Sequence, residues 1–239
     1  MKKSGEITTQ QIVFLIILIM SFAIILFFIF RLNLGAASNK EICHNSVALF
    51  ERSKLAGEID LFGRLNCKTN YDCISRGEKC KDFSADVFSK VLTKEELFKS
   101  LANEMSDCWW MFGEGKIDYL GATDFDSQCA ICSMVRFGDK ISEEYPNGIS
   151  GEEFYNYLIK EKKDETQTYF QYIYGKENFE SFSGQMYKLD SLDFSKKYVI
   201  LTGQKKSLFS GDSSVYSSLV PLENVSSSKL CSRFDLTKA

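Results

Sequence analysis

Nineteen consecutive positions, Ile12 to Phe30, carry no charge, and Ser21 is their only polar side chain. Wound as a helix, they reach roughly 28 Å, close to the ~30 Å of bilayer hydrocarbon. Only a helix lets one isolated segment satisfy its own backbone hydrogen bonds there. A helix covering a soluble core would show polar residues at helical spacing, and this run shows none. The expectation is one transmembrane helix over 12–30 in contact with the lipid bilayer. A tail (1–11) precedes it, a polar stalk (31–42) follows, and 43–239 form a folded ectodomain.

The run is longer than the ~7–15 residues of a secretory signal, and Arg31 interrupts it before the small residues Gly35-Ala36-Ala37. An uncleaved anchor is therefore expected, with cleavage after Ala37 as the alternative. Charge does not orient it. Lys2 and Lys3 precede the helix, Arg31 and Lys40 follow it, and the flanks tie apart from the terminal amine.

The cysteines break the tie. All eight (Cys43, Cys67, Cys73, Cys80, Cys108, Cys129, Cys132 and Cys231) lie beyond the hydrophobic run. An even count suggests disulfides, which persist in an oxidising compartment. Between Cys67 and Cys80 the chain is polar and loop-like, whereas buried thiols acting as small hydrophobes would have apolar neighbours. These eight are candidate structural disulfides, and the ectodomain is expected outside the cytoplasm. Eight cysteines allow 105 pairings, so connectivity stays open. Zinc would need a second Cys-x2-Cys or nearby histidines, but Cys129-Ala-Ile-Cys132 is the one such pair and His44 the one histidine. No metal and no cofactor are expected.

The chain has 29 basic and 32 acidic residues; setting aside Lys2, Lys3, Arg31 and Glu6 leaves 26 and 31. A mildly acidic domain without a basic stripe has no electrostatic footprint for nucleic acid. At 14% aromatic the chain is too apolar for disorder. The ectodomain is long enough for one core and too short for two.

Helical and strand signals are mixed. Thr93 and Glu96 form a capping-box pattern opening a helix over 94–112, with Leu97, Phe98, Leu101, Met105, Cys108, Trp109 and Phe112 on one stripe. Gly113 and Gly115 stop it. A strand is expected through 129–137. A second capping box at Ser150 and Glu153 opens a helix over 151–162, while 166–174 reads equally as helix or strand. Strands are expected over 197–202 and 214–221. The fold class is α+β: one transmembrane helix and a single disulfide-stapled mixed domain, without the regular alternation of parallel-sheet enzymes.

Each candidate for chemistry has a plainer reading. His44 would have to serve any Ser-His-Asp or Cys-His site, and reads instead as a loop histidine beside a bridged Cys43. Cys129 and Cys132 have the spacing of a thiol–disulfide exchange pair. In a strand, however, an odd spacing turns them to opposite faces, about 10 Å apart along an extended chain, too far to bridge. Each is expected to bond elsewhere, with Cys108 the preferred partner for one. Trp109 and Trp110 read as a helix end packing its indoles; the functional version is an interaction patch centred on Trp110, off the main stripe. Asp124, Asp126 and Asp139 lack the ligand spacing of a calcium loop. Asn224-Val-Ser226 is a glycosylation sequon, useful on an outward-facing domain.

The string Ile7 to Ile19, the Cys67–Cys80 cluster, Cys108-Trp-Trp-Met-Phe-Gly-Glu-Gly and Cys129-Ala-Ile-Cys together resemble a group of uncharacterised archaeal single-pass membrane proteins, over about residues 1–175. The resemblance implies a cell-envelope protein and no catalytic residue. Lys2 to Glu6 also look like the start of an archaeal pilin precursor, although Gln10 stands where pilins carry glutamate. The leading expectation is a non-enzymatic, membrane-anchored surface protein with an envelope protein as partner. The alternatives are an envelope thiol–disulfide oxidoreductase using Cys129 and Cys132, and a pilin-like assembly subunit.

Overall fold

A computed structural model describes residues 9–31, 39–55, 65–119, 127–182, 184, 186–205 and 213–234. The chain forms two units, 1–38 and 39–239. In the first, helix α1 spans Thr9–Arg31. Its described side chains, 12–24, are all exposed, Phe14 at 69% and Ile17 at 61%. Among the described residues no helix is long and apolar enough to cross a membrane. The expected span of 12–30 runs past the described side chains of α1.

The second unit is mixed α+β. Its elements in chain order are α2 (Asn39–Leu55), β1 (Asn70–Ser75), β2 (Val87–Lys90), α3 (Lys94–Met111), β3 (Ser127–Phe137), α4 (Asp139–Glu144), β4 (Ile149–Ser150), α5 (Gly151–Lys160), α6 (Tyr169–Tyr174), β5 (Ser191–Leu192), β6 (Tyr198–Lys205) and β7 (Ser213–Pro221). Five strands form one sheet in the order β2-β1-β3-β6-β7. β1 runs parallel to β2 and β3; β3, β6 and β7 are successively antiparallel.

Helix α3 begins as its capping residues dictate. Thr93 accepts the Glu96 amide at 3.1 Å, while the Glu96 carboxylate takes the Leu92 amide at 2.6 Å, one residue outside a standard capping box. Its buried stripe, from Leu97 and Phe98 through Met105 and Cys108 to Met111, packs into the main core. That core also takes Phe154, Phe170, Tyr174, Tyr198 and Ile200. A smaller core of Cys129, Val199, Leu201, Val215 and Val220 lies on the other face of the sheet, under the C-terminal segment.

Strand β3 divides its residues between these two cores. Its register against β6 slips between Ile131 and Ser133. Ala130, Cys132, Val135 and Phe137 join the main core, and Cys129 joins the smaller one. Ser133 also reaches α3, donating to Glu104 at 2.9 Å. A bulge is what lets Cys132 and Ser133, adjacent in sequence, address the same helix.

Four expectations are corrected. The segment between Cys67 and Cys80 is no loop: it holds β1, an interior strand, whose buried Asn70 and Asp72 broke the apolar pattern. Residues 39–42, read as stalk, open α2, because Lys40 finds carboxylates on α3. His44 is therefore helical. At Ser150 no capping box forms; its hydroxyl takes the Glu152 amide and Glu153 pairs with Lys94. The ambiguous segment resolves as α6, with a true capping box between Thr168 and Gln171 and a left-handed end at Gly175.

Candidate functional site

All eight cysteines are paired, as Cys43–Cys67, Cys73–Cys80, Cys108–Cys132 and Cys129–Cys231, with Cα separations of 4.4, 5.8, 5.5 and 5.8 Å. Cys129 and Cys132 thus bond to different partners on opposite faces of the sheet, and Cys108 takes one of them. Gly203 on β6 stands opposite Cys129 on β3, and a Cβ there would lie 2.6 Å from the Cys129 sulfur and run into the Gln128 carbonyl. The absent side chain makes room for that bridge.

Past α3 the backbone enters the left-handed region three times in succession, at Gly113 (φ 74°), Glu114 (57°) and Gly115 (69°). Glycine adopts this freely, but for glutamate it costs about 1 kcal/mol or more. At Gly115 a Cβ would sit 2.9 Å from the Trp109 ring and 2.8 Å from the Ser214 hydroxyl. The turn aims Glu114 into a cleft of about 360 Å³ between the end of α3, α6 and β7. Tyr172 donates to Glu114 Oε1 at 2.7 Å and Lys116 to Oε2 at 2.5 Å. Burial is the largest influence on Glu114 and pushes its pKa up; the bonds from Lys116 and Tyr172 and the charges of Lys116 and Lys163 outweigh it and hold the carboxyl below its ordinary value. Burial, then Glu114, push the Tyr172 hydroxyl far upward, so that it keeps its proton.

The cleft wall is aromatic. Trp109 and Tyr216 stack with ring centroids 5.1 Å apart, and Lys163 sits 4.0 Å from the Tyr172 ring centroid. Tyr174 donates to the Ser217 carbonyl at 3.0 Å, fixing α6 to β7. Above Gly175 nothing lies within 4 Å of where a Cβ would be.

A second polar cluster is closed. Lys40 bridges Glu104 (2.6 Å) and Asp107 (2.7 Å), and Glu104 also accepts from Ser133. Burial is the largest influence on Lys40 and lowers its pKa, but the two carboxylates raise it overall. Asp72 lies beside them on β1, 2% exposed, and neither of its buried oxygens accepts a bond from a protein donor. Burial first, then Glu104, push its pKa up to about 7, against the opposing charge of Lys40. With the proton on Asp72, its O–H is a donor for the neighbouring Glu104 carboxylate, which provides for one of the two oxygens.

The other sequence candidates are placed as follows. His44 donates from Nδ1 to the Trp110 carbonyl at 2.8 Å and stacks on the Trp110 ring at 4.0 Å. Trp109 is buried and Trp110 half-buried against His44: the helix end turns one indole into the cleft wall and the other against α2. Asn224 is half-buried and donates to the Tyr187 hydroxyl at 3.1 Å. Asp139 pairs with Lys81, and Asp124 and Asp126 lie outside the described residues. Among the described residues, no three His, Cys, Asp or Glu are grouped to hold a metal ion. Sequence reasoning saw the helix stop at Gly113 and Gly115 but gave Glu114 between them no role, and missed Lys40, Asp72, Tyr172 and Tyr216.

The chain matches no protein-family model, no curated protein and no solved structure.

Proposed function

We propose that this chain is a membrane-anchored, extracytoplasmic protein of the cell envelope, whose disulfide-stapled unit is a non-enzymatic binding module. The observation that carries the reading is the division of Cys129 and Cys132 between two buried bridges, to Cys231 and Cys108. A thiol–disulfide exchange site needs two neighbouring sulfurs that share one accessible bond. Here both are 0–1% exposed and tie different parts of the fold together. Four bridges in one small unit also suit an oxidising compartment. The exposed apolar surface of α1, continued by the uncharged sequence to Phe30, supports the anchor.

Carbonate extraction and alkylation of native membranes test this reading. The full chain should stay in the membrane pellet, and all eight cysteines should resist alkylation until a reductant is added with denaturant. Release by carbonate ends the anchor. Rapid alkylation of Cys129 and Cys132 at mild reducing potential, with the fold intact, would turn the reading toward thiol–disulfide exchange.

A further inference from the structure

We infer that the cleft at the end of α3 is a binding site for a neutral saccharide. The inference rests on reading the unit as a binding module and is independent of the anchor.

Three features of the cleft select the ligand. Its walls are of two kinds, the half-buried ring of Tyr216 backed by the largely buried Trp109, and a polar set from Glu114, Tyr172, Gln167 and Ser214. A pyranose has the same division, with a C–H face that packs on rings and hydroxyls that both donate and accept. At about 360 Å³ the space is near the small end of the ~300–1,000 Å³ typical of ligand pockets. One or two sugar rings suit it, and a folded protein surface does not.

Charge narrows the class further. Glu114 is matched by Lys116 at 2.5 Å, and Lys163 lies over Tyr172. An anionic ligand would face the Glu114 carboxylate, and a cationic one Lys116, with Lys163 close by over Tyr172. A neutral polyol meets neither repulsion, and its hydroxyls can bond to the carboxylate beside Tyr172 and Lys116. The backbone is consistent with that use. Glu114 is held left-handed between two glycines, a costly way to aim one carboxylate, and such strain collects at binding sites.

The chain has two tryptophans, and one forms the cleft wall. In full-length protein in a sugar-free zwitterionic detergent, Trp110→Phe leaves Trp109 as the only indole. The probes are glucose, galactose, mannose, N-acetylglucosamine and their β-linked disaccharides, with glucosamine and glucose 6-phosphate as charged controls. We expect a saturable change in Trp109 emission with at least one neutral sugar, and at least threefold weaker binding of its charged counterparts. Gly175→Asn, tolerated in the left-handed region and entering open space, should weaken binding at least tenfold with an unchanged melting midpoint. Tyr172→Phe should weaken it severalfold as an independent check. No saturation with any neutral probe, tighter binding of a charged control, or full binding in both variants would overturn the inference. Anchoring and cysteine pairing are read by extraction and alkylation, so this failure is distinguishable from theirs.

Discussion

Glu104 and Glu114 leave the same segment of chain ten residues apart, one on α3 and one on the turn that ends it, and they meet opposite fates. Glu104 is enclosed with Lys40, Ser133 and Asp72, where low dielectric raises the stakes of every charge. Glu114 opens onto a cleft, bonded by Tyr172 and Lys116 but facing solvent. The closed cluster ties α2, α3 and β3 to one another, with Asp72 of β1 beside it. The open one bonds little of the fold together and spends backbone strain on direction. The difference separates a polar group that specifies a core from one that is available to a partner.

The largest expected effect lies in the closed cluster. Lys40→Met removes the cation that bridges Glu104 and Asp107 while leaving Glu104 largely buried beside Asp72 and Asp107 half-exposed. Breaking a buried pair on one side costs roughly 3–5 kcal/mol, and partial exposure places this one near about 3. Urea denaturation at pH 7 measures it. A loss under about 1 kcal/mol would mean that the cluster is solvated like the cleft, and the contrast would fail.

Asp72→Asn should act in the other direction. The folded pKa of Asp72 is raised from 3.8 to about 7. A raised acid contributes stability that is fully present below its unfolded pKa and is lost as pH rises through the folded one. The protein should therefore lose stability between about pH 4 and pH 7 on account of this residue. The asparagine variant, which carries no charge to bury, should gain on the order of 2–3 kcal/mol over the parent above pH 7 and flatten that slope. Parallel pH–stability curves for the two proteins would show that Asp72 does not hold a proton at neutrality.

Much of this contrast was invisible in the sequence for physical reasons. The α3 stripe, β3, β6 and β7 were legible because their apolar residues keep helical or extended periods. The opposite destinations of Cys129 and Cys132 followed from odd spacing in a strand, and Cys108 from its inward position on α3. Strand β1 was hidden because Asn70 and Asp72 interrupt its buried face, and their justification, Lys40 and Glu104, comes from elements far away in the chain. The bulge that sends both Cys132 and Ser133 to α3 is a register effect of β6. The cleft assembles Trp109, Tyr172 and Tyr216 from three elements, and no local pattern joins them. The one local sign was a glutamate between two glycines at a helix end.

That glutamate gives the smallest and most discriminating effect. Replacing Glu114 by glycine relieves the left-handed backbone, a gain of about 1 kcal/mol. Against it stand the greater freedom of a glycine in the unfolded chain, about 0.5–1 kcal/mol, a part-buried bond from Tyr172 and an exposed one from Lys116, worth roughly 1–2 kcal/mol together. The terms offset one another in part, so Glu114→Gly should stay within about 2 kcal/mol of the parent in urea while sugar-dependent Trp109 fluorescence is lost. A cost above about 2 kcal/mol would place Glu114 with Lys40 as a structural clamp on the end of α3. Unchanged stability with unchanged sugar response would leave the strained turn without a ligand to explain it. Only the pairing of intact fold and lost binding keeps the two carboxylates in different roles.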